Sequence, residues 1–353
     1  MSIQNQVIVI GLEAAEPTLI EQWAHEGQLP TLQRLMKQGS WRHLQSTTEI
    51  SSGATWPSLI TGTNPAKHGM GFYHRQLQPG TYTIRKKYAD ETATAPFWNQ
   101  LSQNGKRVAI LDIPDTHATE DLNGVMLVGW GAEGLNAKQH SWPRHLLDDI
   151  FSQVGHHPLE FWYQEKPKSI KGWKEFTAKL LEGTRRRTQL AKWILSKEAW
   201  DCYVLGYAEP HWIGHYFWHL IDKRHPDYDP ELERACGKAI LNIYQEVDQG
   251  IGDLLTTYPD ATIMIVSNTG MGPNFSGQHL LPQVLERLGY TQKPNTNGLK
   301  RFLPNQKWGP YYAIKNMETL VTPKLMEIMK RVIPENLWDR VTRNILTMGN
   351  NWK

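Results

Sequence analysis

Five short apolar runs, each followed by amphipathic sequence, constrain this chain more than any other feature. They are "QVIVIGL" (6–12), "RVAILDI" (107–113), "GVMLVGW" (124–130), "WDCYVLGY" (200–207) and "TIMIVSN" (262–268). Runs of this length, apolar throughout rather than alternating, read as strands buried on both faces. Helical patterns lie between them at 17–27, 30–39, 143–155, 171–197 and 230–257. Several open with proline and close with glycine, the asymmetry that helix ends favour. Such alternation builds a mostly parallel sheet covered by helices.

The 353 residues suffice for one large α/β domain spanning 1–353. The stretch 155–198 holds no strong strand and is expected to be a helical insertion that caps the site. Beyond residue 290 the pattern weakens into a loop and then into amphipathic stretches such as "LVTPKLMEIMKRVIP".

Composition excludes several classes. A formal net charge of +3 gives no case for nucleic acid as a partner. The basic clusters "RKK" (85–87) and "RRR" (185–187) read first as solvated surface. With only Cys202 and Cys236, neither a disulfide framework nor a CxxC metal site is available. No apolar run approaches the roughly 20 residues that span a bilayer. The polar start "MSIQNQ" carries no secretory signal, so the expected location is cytoplasmic, away from membranes. Tryptophans Trp56, Trp212 and Trp218 fall near the chemistry-bearing segments, where they serve either as pocket walls or as core.

Three segments carry that chemistry. In "IGLEAAEP", Glu13 stands one residue past a buried strand, a position for a ligand or catalytic carboxylate. An acid at a helix start is the competing reading, since Glu16 and Pro17 form one. In "EISSGATWPSLITGTNPAKHGMGFY" (49–73), Ser51 or Ser52 precedes a short helical stretch and is either an N-cap or an anion-facing hydroxyl. In "GYAEPHWIGHYFWHLID" (206–222), His211, His215 and His219 recur every four residues, so a helix stacks them on one face. A His-x₃-His pair is competent metal-binding geometry, with Glu209 and Asp222 beside it.

Together these segments resemble the alkaline phosphatase superfamily, most closely its type I phosphodiesterase/nucleotide pyrophosphatase branch. The motif order runs from residue 7 to residue 273, and "SGATWPSLITGTNPAKHGM" is its most specific part. The resemblance implies an alkaline phosphatase-like three-layer α/β/α fold with a mostly parallel sheet and a shortened C-terminal segment. It implies two divalent metals, usually zinc, flanking a serine or threonine nucleophile, a position that falls on Ser52.

The other family positions depart from the pattern. Glu13 replaces the first metal-binding aspartate, and His211 replaces the aspartate of "DxxxH" while His215 keeps its histidine. Asn268 and Thr269 stand where "DHGM" would supply two ligands, and Tyr73 stands at the asparagine that helps hold phosphate. The family's late histidine has no counterpart, since His279 comes too early.

Neutral amide and hydroxyl groups are poor zinc ligands. The expectation is therefore one divalent metal (zinc or manganese) held by Glu13, His211 and His215, or none. Expected substrate contacts come from Tyr73, Trp56, Asn268, Thr269 and His279. The expected function is hydrolysis or transfer on a phospho- or related ester through Ser52. A metal-independent transferase or esterase with a histidine base, or a non-catalytic binding protein, remains open beside it. The expected partner is a small anionic or ester substrate, and a homodimer is compatible with the sequence.

Overall fold

The computed structural model describes residues 6–46, 52–71, 75–81, 84–131, 139–159, 166–274, 280–292 and 351–352. The chain divides into two compact units, Met1–Pro273 and Asn274–Lys353.

The first unit opens with β1 (Val7–Leu12), α1 (Pro17–His25) and α2 (Pro30–Gln38). A short 3₁₀ turn, Ser52–Ala54, leads into α3 (Thr55–Thr61) and α4 (Pro65–His68). A small hairpin follows, β2 (Arg75–Leu77) with β3 (Ile84–Lys86), and then α5 (Phe97–Gln103). Next come β4 (Val108–Leu111), β5 (Gly124–Val128), β6 (His140–Trp142) and α6 (Leu146–Val154). The unit closes with α7 (Ile170–Leu195), β7 (Cys202–Tyr207), α8 (Glu209–Ile221), α9 (Pro230–Cys236), α10 (Ala239–Thr257) and β8 (Thr262–Ser267). In the second unit the described elements are α11 (Leu281–Arg287), β9 (Thr291–Gln292) and β10 (Asn351–Trp352).

Six strands of the first unit form one sheet in the order β6-β5-β4-β7-β1-β8. All neighbouring pairs are parallel except β5 with β6. The five apolar runs are its five parallel strands, and the short antiparallel edge β6 was not anticipated. The single helix expected over 230–257 is two helices, broken at Gly237 and Lys238.

Alternation along the strands sends side chains into two cores. Ile8, Ile10 and Leu12 of β1, Ala109 and Leu111 of β4, and Tyr203, Leu205 and Tyr207 of β7 face the larger core with α1, α7, α8 and α10. Val108 and Ile110, Met126 and Val128, and Cys202 and Val204 face the smaller one, filled by Trp56, Ile60 and Trp98. Helices thus cover both faces of the inner strands, whereas β8, at the sheet edge, exposes Thr262 and Met264 and is not buried on both faces as its apolar run predicts.

The stretch 155–198 contains α7, whose residues Trp173, Phe176, Leu180, Leu190, Ala191 and Ile194 belong to the larger core. Buried Asp248 of α10 accepts the amides of Thr31 (3.0 Å) and Leu32 (2.7 Å), capping the start of α2 from another helix. Among the described residues no helix is long and apolar enough to cross a membrane.

Candidate active site

Strand register decides which side chains meet. Leu12 of β1 pairs with Tyr207 of β7 on one side and Ser267 of β8 on the other. The next residues along, Glu13, Ala208 and Asn268, therefore leave the sheet together at its carboxyl edge, where ligands bind in open α/β sheets. Glu13 is buried, and its amide donates to the Tyr207 carbonyl at 2.8 Å. Ala14 then takes a positive φ of 48°, an uncommon conformation for a residue with a Cβ. Asn268 holds that turn, because its Oδ1 accepts the Ala14 amide at 3.1 Å.

The Glu13 carboxylate gathers neighbours from three directions. Trp56, in the first turn of α3, donates its indole N–H to Oε2. The Asn268 Nδ2 lies 3.4 Å from Oε1 and donates also to Thr55 Oγ1 at 3.0 Å. His211 Nδ1 stands 3.7 Å from Oε1. One helical turn further along α8, His215 brings its Nε2 to 2.7 Å from His211 Nε2. His211 is partly buried and His215 exposed, so the three side chains form a chain from the interior to solvent.

The other candidate residues lie in varied surroundings. His219, next on the same face, packs against Trp173 and His225 instead. Burial, with Lys166 and His225 nearby, lowers its pKa. Glu209 turns away from the histidine pair and binds Arg187, with Nε at 2.9 Å from Oε1. Thr269 hydroxyl donates to the Gly270 carbonyl at 3.3 Å rather than toward Glu13. Trp56 and Trp212 are core residues, and Trp218 packs against the same apolar core as Trp212. Ser52 begins the 3₁₀ turn that runs straight into α3, three residues before Thr55. Tyr73 and His279 lie outside the described residues.

The loop after β8 acts as a clamp. The Ser267 hydroxyl, with one hydrogen to give, lies between the carbonyls of Ala15 (2.8 Å) and Thr269 (2.6 Å). The Met271 amide donates to Glu16 Oε2 at 3.0 Å, while Glu16 Oε1 caps α1 through Thr18. The Met271 side chain fills the space that a Cβ on Gly214 of α8 would need, at 3.0 Å. One loop thus fixes the Glu13 turn, the start of α1 and the helix carrying the histidines.

A second cluster was missed by sequence reasoning. Arg187, read as part of a solvated basic run, is fully buried between Asp112 (2.6 Å from Nη1) and Glu209. His157 Nε2 reaches Glu209 Oε1 at 3.4 Å. Burial works against the charge of Arg187, but Glu209 and Asp112 outweigh it and raise its pKa. Burial likewise opposes ionisation of Glu209, yet Arg187 and His157 hold its pKa down at about 2. Asp112, with φ of 55°, also accepts the amides of Trp130 and Gly131, each at 2.8 Å.

Ser58 and His68 form a third buried contact, 2.9 Å from Oγ to Nε2. Here the Met70 amide donates to His68 Nδ1 at 3.1 Å. An amide only donates, so Nδ1 must accept and Nε2 carries the proton toward Ser58. A histidine so arranged cannot take a proton from that serine.

A profile of the type I phosphodiesterase / nucleotide pyrophosphatase family matches residues 7–327. The chain belongs to this family, within the alkaline phosphatase superfamily. Two structures of phosphonoacetate hydrolase from Sinorhizobium meliloti 1021 share its fold. The complex with phosphonoformate superposes with a TM-score of 0.52 at 16% identity, and the complex with phosphonoacetate with 0.50 at 15%. Each match covers 82% of this chain and 64% of the hydrolase, so the chain spans under two thirds of that protein's length. No curated protein matches the chain.

The family's metals can be tested against the donors present. A zinc site takes about four ligands from histidine, cysteine and carboxylate. Among the described residues no group of three or more such side chains is arranged to hold an ion. Both oxygens of Glu13 already face N–H donors, and Asn268 offers its amide nitrogen toward Glu13 in place of a ligand oxygen. These side chains do not fit the pair of ions that type I phosphodiesterases carry.

Proposed function

We propose that this chain is a hydrolase of small phospho- or related esters, with Ser52 as nucleophile and the His211–His215 pair as its base. The observation that carries the reading is the 2.7 Å approach of the two Nε2 atoms beside buried Glu13. Two imidazole nitrogens at that distance share one proton, and a carboxylate on the Nδ1 side of His211 favours an N–H there. His211 then accepts from His215, which leaves the Nδ1 of exposed His215 as the basic nitrogen. Thr55 and Trp56, one turn beyond Ser52, touch Asn268 and Glu13, which supports placing the nucleophile at this strand edge.

In the proposed reaction, Ser52 Oγ attacks phosphorus and its proton passes to the histidine pair. The ester's alcohol oxygen departs with that proton. Water, deprotonated by the same pair, then attacks phosphorus, and the Ser52 Oγ leaves with the proton that the pair returns to it. The fold neighbours hold phosphonoformate and phosphonoacetate, which supports a small anion as the substrate class.

Ser52→Ala and His211→Ala should each lower turnover of an aryl phosphodiester by about 10²-fold or more, with the fold retained by circular dichroism. Wild-type rates in both variants would refute the reading. A transferase would use the same side chains, passing the group to an alcohol in place of water. Product appearing on an added alcohol rather than on water would select that alternative.

A further inference from the structure

We infer that Trp56 and Asn268 take the place of a cation at Glu13, so that this half of the site is held by hydrogen bonds. The inference rests on the contacts of Glu13 and Asn268, and is independent of which ester the protein acts on.

The orientation of Asn268 is fixed by its partners. Its Oδ1 accepts the Ala14 amide, a group that can only donate. The Nδ2 group must therefore face Glu13 Oε1 and Thr55 Oγ1. Both of those can accept, so the assignment is consistent on each side. Trp56 supplies the second donor, to Glu13 Oε2, from the smaller core on the other face of β1. A buried carboxylate needs either a cation or several hydrogen bonds, and Glu13 has the latter from two uncharged side chains.

The same geometry says what a single substitution would do. In Asn268→Asp, one carboxylate oxygen still accepts the Ala14 amide, which donates there in wild type at 3.1 Å. In the retained rotamer the other oxygen replaces Nδ2, 3.4 Å from Glu13 Oε1. The Ala14 amide remains satisfied, while two carboxylates now face each other with His211 Nδ1 3.7 Å from the first. Two carboxylates and an imidazole so placed are the makings of a divalent-cation site. Asn268 is thus the residue that decides between hydrogen-bonded clamp and metal centre.

The test is zinc binding by equilibrium dialysis and thermal melting, on wild type, Asn268→Asp and Glu13→Gln, with no activity measured. The melting temperature of wild type should be the same in chelator and in zinc, and Glu13→Gln should bind zinc no more weakly than wild type. Asn268→Asp should gain zinc affinity by at least about tenfold, since even changes outside the ligand shell move metal affinity about 10- to 100-fold. Its melting temperature should rise with added zinc. A stoichiometric zinc in wild type that is lost in Glu13→Gln would overturn the inference, whether or not Asn268→Asp folds. Failure of the serine hydrolase reading would leave these binding results unchanged.

Discussion

Trp56 lies so close to Gly11 that a Cβ built on the glycine would meet Trp56 Cη2 at 2.3 Å. The contact explains why a glycine interrupts an otherwise apolar strand: it admits the indole whose N–H reaches Glu13 two residues further on. Gly11→Ala must push the ring away or bend the strand, and overpacking of this kind costs about 1–3 kcal/mol. It should also cut turnover, because misplacing a site by about 1 Å can cost on the order of 10²-fold. Urea denaturation and steady-state kinetics check the two effects. An alanine variant as stable and as active as wild type would show that the indole is not needed at Glu13.

Arg187 makes a different prediction because its partners are charged and fully buried. Arg187→Met removes the cation and leaves Asp112 and Glu209 facing each other's charge in the interior. Breaking one member of a buried ion network typically costs about 3–5 kcal/mol. Glu209 is the first residue of α8, the helix that carries His211 and His215, so the loss falls on the frame of the candidate site. Chemical denaturation of Arg187→Met against wild type measures it, and a cost below about 1 kcal/mol would place the network among ordinary surface pairs.

The sequence signals that succeeded and failed differ in physical kind. The five parallel strands were legible because they are apolar on both faces and lie between helices, a pattern set by the backbone period. Glu13 at a strand end and the histidine pair at helical spacing were legible as positions, and the structure brings Glu13, His211 and His215 together. The partners of those residues were not, because hydrogen bonds between Glu13, Trp56 and Asn268 join positions 43 and 255 residues apart. Asn268 and Thr269 looked alike as lost ligands, yet Asn268 clamps Glu13 and Thr269 bonds its own loop. Arg187 was hidden by its neighbours in "RRR", although helical period exposes it. It continues the buried face of α7 through Phe176, Leu180, Gly183 and Thr184 toward Leu190 and Ile194. Arg185 and Arg186, off that face, pair with Glu246 and Glu182 near the surface.

His68 should make the stability of the protein fall in mild acid. Burial lowers its pKa, and the charge of Lys87 adds to that. Its Nδ1 already accepts from Met70, so a second ring proton would break that bond inside the protein. With a folded pKa below the unfolded one, the unfolded chain takes up the proton first. The contribution is complete above the unfolded value of about 6.5 and is lost as pH falls through the folded value. His219 is shifted in the same sense, so the comparison must be with a variant rather than with theory alone. His68→Gln keeps an acceptor for Met70 and a donor for Ser58 without a titrating ring. Its unfolding free energy should depend less on pH than that of wild type between about pH 7 and pH 5. Parallel curves for the two proteins across that range would mean that His68 does not set the acid limit.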